Sequence, residues 1–119
     1  MKARDIISIL DGKVFTGEEF LDVDISSGCG ADLMSDVMAF VKENVVMLTG
    51  LVTPQAVRTA ELMDIRMVVF VRGKTPTPEM IALAKEHDII LACSKYSMFL
   101  SCGRLYEGGV RLGGMKEIC

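Results

Sequence analysis

Small and positively charged residues follow three apolar segments of this chain. They are Gly50, Thr53, Arg72, Gly73, Lys74, Ser94 and Lys95. Backbone amides that glycine leaves accessible, beside guanidinium and ammonium groups, are the donors that a phosphate prefers. The pattern therefore predicts a binding site for an anion, most naturally the phosphate of a small molecule. The alternative is that the small residues only form turns and that the cations are solvated.

The sequence motifs of nucleotide-binding enzymes are incomplete in this chain. Gly73-Lys74-Thr75 ends like a phosphate-binding loop, but Val68 stands where the first glycine of that loop belongs. A G-x-G-x-x-G motif after a strand is also missing from the sequence. The sequence contains no recognisable Ser-His-Asp set and no cluster of metal ligands. We therefore predict no enzyme activity, no cofactor and no metal.

Two acidic residues and two cysteines offer other chemistry. Asp32 and Asp36 stand four residues apart, which places them on one face of a predicted helix. They could form a catalytic pair or a magnesium site, or simply stabilise the start of that helix as first-turn acids. Cys29 lies between two glycines and Cys93 ends a predicted strand. Without a C-x-x-C pair we expect reduced thiols, and a redox role for either cysteine stays open.

Three tandem units of an apolar strand and a helix must position these residues. The predicted strands are 45–50, 67–71 and 88–93, and the predicted helices are 54–63, 79–87 and 98–106. Near-continuous Val, Ile and Leu strands are typical of parallel sheets that are covered on both faces. The pattern predicts an α/β fold, a three-layer sandwich with a mainly parallel sheet. Ligands bind such sheets at the carboxyl ends of the strands, where the candidate residues fall.

The flanking regions complete a single predicted domain over residues 1–106. We predict, in chain order, a helix at 2–10, strands at 13–16 and 20–27, a small-residue loop at 26–32 and a helix from 32 to about 42. The second strand rests on the alternation of Leu21, Val23 and Ile25. Four glycines in residues 107–119 predict a loose tail.

Composition excludes several classes of partner. The chain has 119 residues, is half apolar and carries a net charge of −3, which is typical of a globular protein and argues against binding to duplex nucleic acid. Its apolar runs are too short to cross a membrane, and no leader opens the chain, so we expect a cytoplasmic protein. The high apolar fraction suggests that a second copy covers part of the surface, and we expect a homodimer.

The segment Ala31-Asp32-Leu33-Met34-Ser35-Asp36-Val37-Met38 resembles the start of a helix in the DRTGG domain. Three strand–helix units, with Gly50 and Gly73 after the first two strands, extend the resemblance over residues 1–106. DRTGG domains are related to the N-terminal domain of HPr kinase/phosphorylase and occur beside CBS domains. The resemblance implies a regulatory, often dimerising α/β module, with adenine nucleotides as suspected ligands in some members.

Two functional hypotheses follow. The first is a stand-alone regulatory module that senses a phosphorylated small molecule, such as an adenine nucleotide, and acts through a dimer. The second is a non-enzymatic protein-interaction subunit of a redox complex without a small ligand. The second arises because residues 28–37 are also similar to stand-alone proteins that lie near iron hydrogenase components.

Overall fold

The computed structural model of the chain describes residues 1–39 and 43–111. Its α-helices and strands in chain order are α1 (Ala3–Ile9), β1 (Lys13–Thr16), β2 (Ser27–Gly30), α2 (Met34–Met38), β3 (Val45–Thr49), α3 (Pro54–Leu62), β4 (Met67–Phe70), α4 (Pro78–Glu86), β5 (Ile90–Cys93) and α5 (Met98–Gly108). A short 3-10 helix, Glu18–Phe20, lies between β1 and β2. The three predicted strand–helix units are present, and their boundaries differ from the prediction by a few residues at most.

The strands form a five-stranded sheet in the order β1-β5-β4-β3-β2. All neighbours run parallel except β1, which pairs with β5 in the antiparallel direction. The parallel strands β2 to β5 therefore end together, and the loops that follow them form one rim of the sheet, which we call the carboxyl rim. Because β1 runs the other way, its first residue, Lys13, lies opposite Cys93 at the same rim.

Helices cover both faces of the sheet, which confirms the predicted three-layer α/β sandwich. On one face α2, α3 and α4 pack on buried residues that include Met47, Val68 and Phe70. On the other face α1 and α5 pack on Val46, Val69 and other buried side chains of the same strands. Each central strand thus buries both of its faces, which is why its sequence is continuously apolar rather than alternating.

The predicted strand at 20–27 is wrong. The alternating residues Leu21 and Val23 do pack against the core, but their carbonyl oxygens accept hydrogen bonds from the first amides of α1, from Arg4 at 3.0 Å and Ala3 at 3.0 Å. The segment therefore caps a helix instead of joining the sheet. The strand is Ser27–Gly30, within the segment predicted as a loop, and it pairs with β3 in parallel.

The helix predicted to begin at Asp32 begins at Met34, and Leu33 precedes its first turn without a side-chain cap. Its predicted last part, 40–42, lies outside the described residues. At the other end of the chain α5 continues two residues past the predicted boundary and ends before Gly109, which has a φ of +121°. Residues 112–119 of the predicted tail also lie outside the described ranges.

Within the described ranges, none of the helices is long and apolar enough to cross a lipid bilayer.

Candidate functional site

The carboxyl rim brings charged side chains together around Gly50, which directly follows β3. The Asp32 carboxylate accepts a hydrogen bond of 2.6 Å from the amide of Gly50, and the Lys74 ammonium donates to the carbonyl of Gly50 at 2.9 Å. Arg72 approaches the same residue. A Cβ added to Gly50 would lie 3.2 Å from Asp32 Oδ1 and 3.4 Å from an Arg72 guanidinium nitrogen. Glycine at this position therefore lets all three charged side chains approach one residue.

The loop after β4 exposes the side chains of Arg72 and Lys74 to solvent. Arg72 and Gly73 both have left-handed backbone angles, with φ of +59° and +68°, and the amide of Lys74 donates to the carbonyl of Val71 at 3.3 Å. The chain thus reverses within four residues. Arg72, Gly73 and Lys74 are all exposed. A negatively charged ligand reaches their side chains without any rearrangement of the core.

The backbone amides of the loop after β4 already donate hydrogen bonds within the protein. The amide of Arg72 donates to the carbonyl of Tyr96 at 2.8 Å, and the amide of Gly73 donates to the carbonyl of Ser94 at 2.8 Å. These two bonds tie the loop after β4 to the loop after β5. The rim therefore differs from the predicted cradle of free amides, and its capacity to hold an anion lies in the side chains of Arg72 and Lys74.

The remaining predicted site residues have other surroundings. Ser94 is 1% exposed, and its hydroxyl donates to the carbonyl of Leu10 at 2.8 Å, so it joins α1 to the sheet. The ammonium of Lys95 is exposed and lies 4.0 Å from the carboxylate of Asp11. The side-chain oxygen of Thr53 is buried at the start of α3 and has no hydrogen-bond partner among the described residues.

A solved structure has this architecture. It is the crystal structure of the CBS and DRTGG domains of the regulatory region of Clostridium perfringens pyrophosphatase, complexed with the activator diadenosine tetraphosphate. Its TM-score to this chain is 0.68, with 15% sequence identity over 99% of this chain. The chain has a DRTGG-like fold. It spans about half, 52%, of that solved chain, which also contains CBS domains. No protein-family model and no curated protein matches the sequence, and the relationship to HPr kinase stays a prediction.

Within this DRTGG-like fold, Asp32 has a role that the sequence did not suggest. We expected Asp32 and Asp36 on one helix, and that expectation is wrong because α2 begins after Asp32. Asp32 instead follows β2 at the carboxyl rim and holds the amide of Gly50. An acidic residue two positions after a strand was the available signal. It was hidden because the strand was predicted at 20–27 and the structure places it at Ser27–Gly30.

Removing the Asp32 carboxylate should destabilise the protein. In Asp32→Ala the buried amide of Gly50 loses its acceptor, and an unsatisfied buried donor costs about 1–3 kcal/mol. Urea unfolding of the wild type and the variant measures the loss. The matched control is Asp36→Ala, which removes the same charge from the first turn of α2 and should cost less than about 1 kcal/mol. Equal losses in the two variants would show that the Asp32 bond contributes nothing specific.

Cys29, one of the two cysteines for which a redox role was left open, is protected. It is 3% exposed on the face of the sheet that α2 and α3 cover. Burial, followed by the nearby Cys102 and Asp36, raises the pKa of the Cys29 thiol from its usual 9.0 to about 12. Because the thiolate is the nucleophile, a raised pKa is the opposite of what a catalytic cysteine needs.

Alkylation should reveal this protection. At pH 8 a thiol with a pKa of 9.0 is roughly one-tenth thiolate, and a pKa of about 12 reduces that fraction to roughly one in ten thousand. Cys29 in the folded protein should therefore react with iodoacetamide at least tenfold more slowly than in urea, and faster as the pH rises toward 12. Peptide mass spectrometry separates it from the other thiols. Labelling of Cys29 at the same rate in both states would contradict the buried position.

Proposed function

We propose that this chain is a regulatory, non-enzymatic module that binds a phosphorylated small molecule at the carboxyl rim, with an adenine nucleotide as the first candidate. The observation that carries the proposal is the convergence of Arg72 and Lys74 on Gly50 at the rim where ligands of parallel sheets bind. Two exposed cations beside one carboxylate leave an excess of positive charge at this place, although the whole chain is acidic.

The ligand contacts come from side chains. The planar guanidinium of Arg72 suits bidentate contact with a phosphate, and the ammonium of Lys74 retains two donors beyond its bond to Gly50. The start of α3, with Thr53 and Pro54, follows Gly50 by a few residues and adds the positive end of a helix dipole. Lys95 extends the positive charge on the side of β5.

The pyrophosphatase regulatory region, which contains this fold beside CBS domains, supports a nucleotide as ligand. Its structure is described as complexed with the activator diadenosine tetraphosphate, a polyphosphate that carries two adenosines. We infer for this chain only the general chemistry, a regulatory fold that responds to a phosphorylated nucleotide. We also propose that the protein acts in the cytoplasm as a homodimer, with the ligand site inside the predicted domain of residues 1–106.

Regulation would proceed by population shift. The loop that carries Arg72 is bonded to the carbonyls of Ser94 and Tyr96, which directly precede α5. A ligand that favours one position of Arg72 therefore favours one position of the start of α5. The change in equilibrium is limited to the difference in ligand affinity between the two arrangements.

Calorimetry tests the proposed function. The wild-type protein is titrated with AMP, ATP, a diadenosine polyphosphate and a UDP-sugar, with inorganic tripolyphosphate to report the anion site alone. We expect saturable binding of at least one nucleotide that weakens as salt is added, because the cations are exposed. Absence of binding to all five compounds by a folded sample would end the proposal.

A second candidate function is an adaptor subunit of a redox complex without a small ligand. It is supported by large apolar side chains that are exposed at the start of α5 and α2, with Phe99 at 89% and Leu33 at 62%. Large exposed apolar patches mark protein interfaces. Purification from the native source separates the two functions, since a stable hetero-complex that ignores nucleotides favours the adaptor and a lone homodimer opposes it.

A further inference from the structure

The outer edge of β2 offers unused hydrogen-bonding groups. β2 is the last strand of the sheet and pairs only with β3. The amides of Ser27 and Ala31 donate toward β3, to Asn44 at 3.3 Å and to Leu48 at 3.0 Å. Since the direction alternates along a strand, Gly28 and Gly30 turn their amide and carbonyl groups away from the sheet. None of the residues in the ranges 1–39 and 43–111 pairs with this edge.

The glycines of β2 let α5 lie directly on the strand. A Cβ on Gly30 would come within 2.8 Å of the Cys102 sulfur, and a Cβ on Gly28 would lie 3.4 Å from Val110 Cγ1. A mainly apolar cavity of about 170 Å³ remains between β2 and α5, and Tyr106 lines it. The side of α5 that carries Tyr106 therefore borders the outer edge of β2.

Two exposed aromatic rings lie on that side of α5. Phe99 is 89% exposed and Tyr106 is 58% exposed. Seven residues separate them, which is almost two turns of helix, so both project to the same side about 10 Å apart along the axis. Together they expose on the order of 300 Å². A stable dimer buries about 800 Å² on each partner, so these two rings would supply more than a third of such an interface.

We propose that a second copy of this chain adds to the outer edge of β2, with the two β2 strands antiparallel about a two-fold axis near Cys29. The inference deepens the proposed function, because it rests on the dimer, but it does not depend on the ligand. In this pairing the outward amides of Gly28 and Gly30 meet the outward carbonyls of the other copy, and the five-stranded sheet doubles.

Antiparallel pairing also matches the side chains around the edge. It sets the two α5 helices side by side in opposite directions, so that Phe99 of each copy faces the Tyr106 ring of the other. Arg111 stacks on Tyr106 at 4.7 Å, at the end of α5 opposite to Phe99. Asp32 follows the other end of β2, so the two-fold axis brings Arg111 of each copy toward Asp32 of the other. Both the apolar surface and the charges are therefore self-complementary, which favours a second copy over an unrelated peptide.

Blocking the edge tests the pairing. Gly28→Pro removes the outward amide and places its ring where the other strand would bond, whereas Gly28→Ala keeps the amide and adds only a Cβ in a tolerated position. Phe99→Lys charges the helix surface, and its control is Leu62→Lys on α3, where the leucine is 67% exposed. Both lysine variants change exposed positions, so they remain informative if Gly28→Pro fails to fold.

Sedimentation equilibrium gives the mass of each protein in solution. Hydrogen exchange measures the protection of the amides on the outer edge of β2. We expect the wild type, Gly28→Ala and Leu62→Lys to show twice the 13.0 kDa of one chain. Gly28→Pro and Phe99→Lys should raise the dimer dissociation constant at least tenfold. The amides of Gly28 and Gly30 should exchange slowly only in the dimer. A monomeric wild type would overturn the proposal. So would a dimer whose dissociation constant neither edge variant changes and in which the amides of Gly28 and Gly30 exchange quickly. Neither result affects the ligand titration.

Discussion

The double variant Arg72→Ala, Lys74→Ala is expected to bind ATP about 30-fold to 1,000-fold more weakly than the wild type. Each side chain supplies a charge-assisted contact to the phosphates, and together the two contacts are worth about 2–4 kcal/mol. Both side chains are exposed. Neither contributes to the core, so the variant should keep its fold and its thermal transition. Calorimetric titration of the two proteins at one salt concentration measures the ratio.

A charge-matched control separates direct contacts of Arg72 and Lys74 with the ligand from the effect of the net charge of the protein. Arg58→Ala, Lys85→Ala removes the same two positive charges from exposed positions of α3 and α4. It should change ATP affinity by less than about threefold, because exposed charges that do not contact the ligand are weakened by solvent and salt. If the two double variants lose affinity equally, Arg72 and Lys74 act only through net charge and the ligand binds elsewhere.

Phe70→Ala should produce the largest loss of stability among these substitutions, about 3–5 kcal/mol. Phe70 is fully buried at the end of β4, beside Thr49 of β3 and Cys93 of β5. Truncation leaves a cavity beneath the carboxyl rim in addition to the lost burial of the ring. Because Phe70 directly precedes the Val71–Lys74 turn, the variant should also weaken ATP binding. Urea denaturation followed by circular dichroism gives the free energy of unfolding.

The comparison residue for that experiment is another phenylalanine. Phe99 is 89% exposed, so Phe99→Ala should change the stability of the monomer by no more than about 0.5 kcal/mol. The measurement is made at a protein concentration where the chain is monomeric. A loss in Phe70→Ala no larger than that in Phe99→Ala would mean that Phe70 is not packed in the centre of the sheet.

The central strands could be predicted from sequence because burial on both faces leaves little choice of residue. Residues 45–48 and Met67–Phe70 are uninterrupted apolar runs, and each strand is followed by a helix with Pro at its first position. Ser27–Gly30 could not be predicted in the same way. It contains no β-branched or aromatic residue. It is a strand because α5 and β3 enclose it, and that tertiary contact overrides local propensity.

The position of the candidate site could be predicted from the sequence, but the contacts within it could not. The cations at 72 and 74 follow a parallel strand, so their place at the carboxyl rim follows from topology. Their neighbours do not follow from sequence spacing. Gly50 and Gly73 each follow a predicted strand, but they are not equivalent in the sheet. Phe70 pairs with Thr49, so Gly50 is matched by Val71. The amides of Arg72 and Gly73 are occupied because they donate to the carbonyls of Tyr96 and Ser94. These groups come close only when the loops after β4 and β5 meet in the folded protein.

Two-dimensional amide NMR of the wild-type protein during titration with ATP tests the central claim most directly, because it locates the ligand residue by residue. The account predicts that the largest saturable shifts occur at Gly50, Arg72, Gly73 and Lys74. Saturable shifts confined to the residues that line the cavity between β2 and α5, with these four amides unchanged, would contradict it.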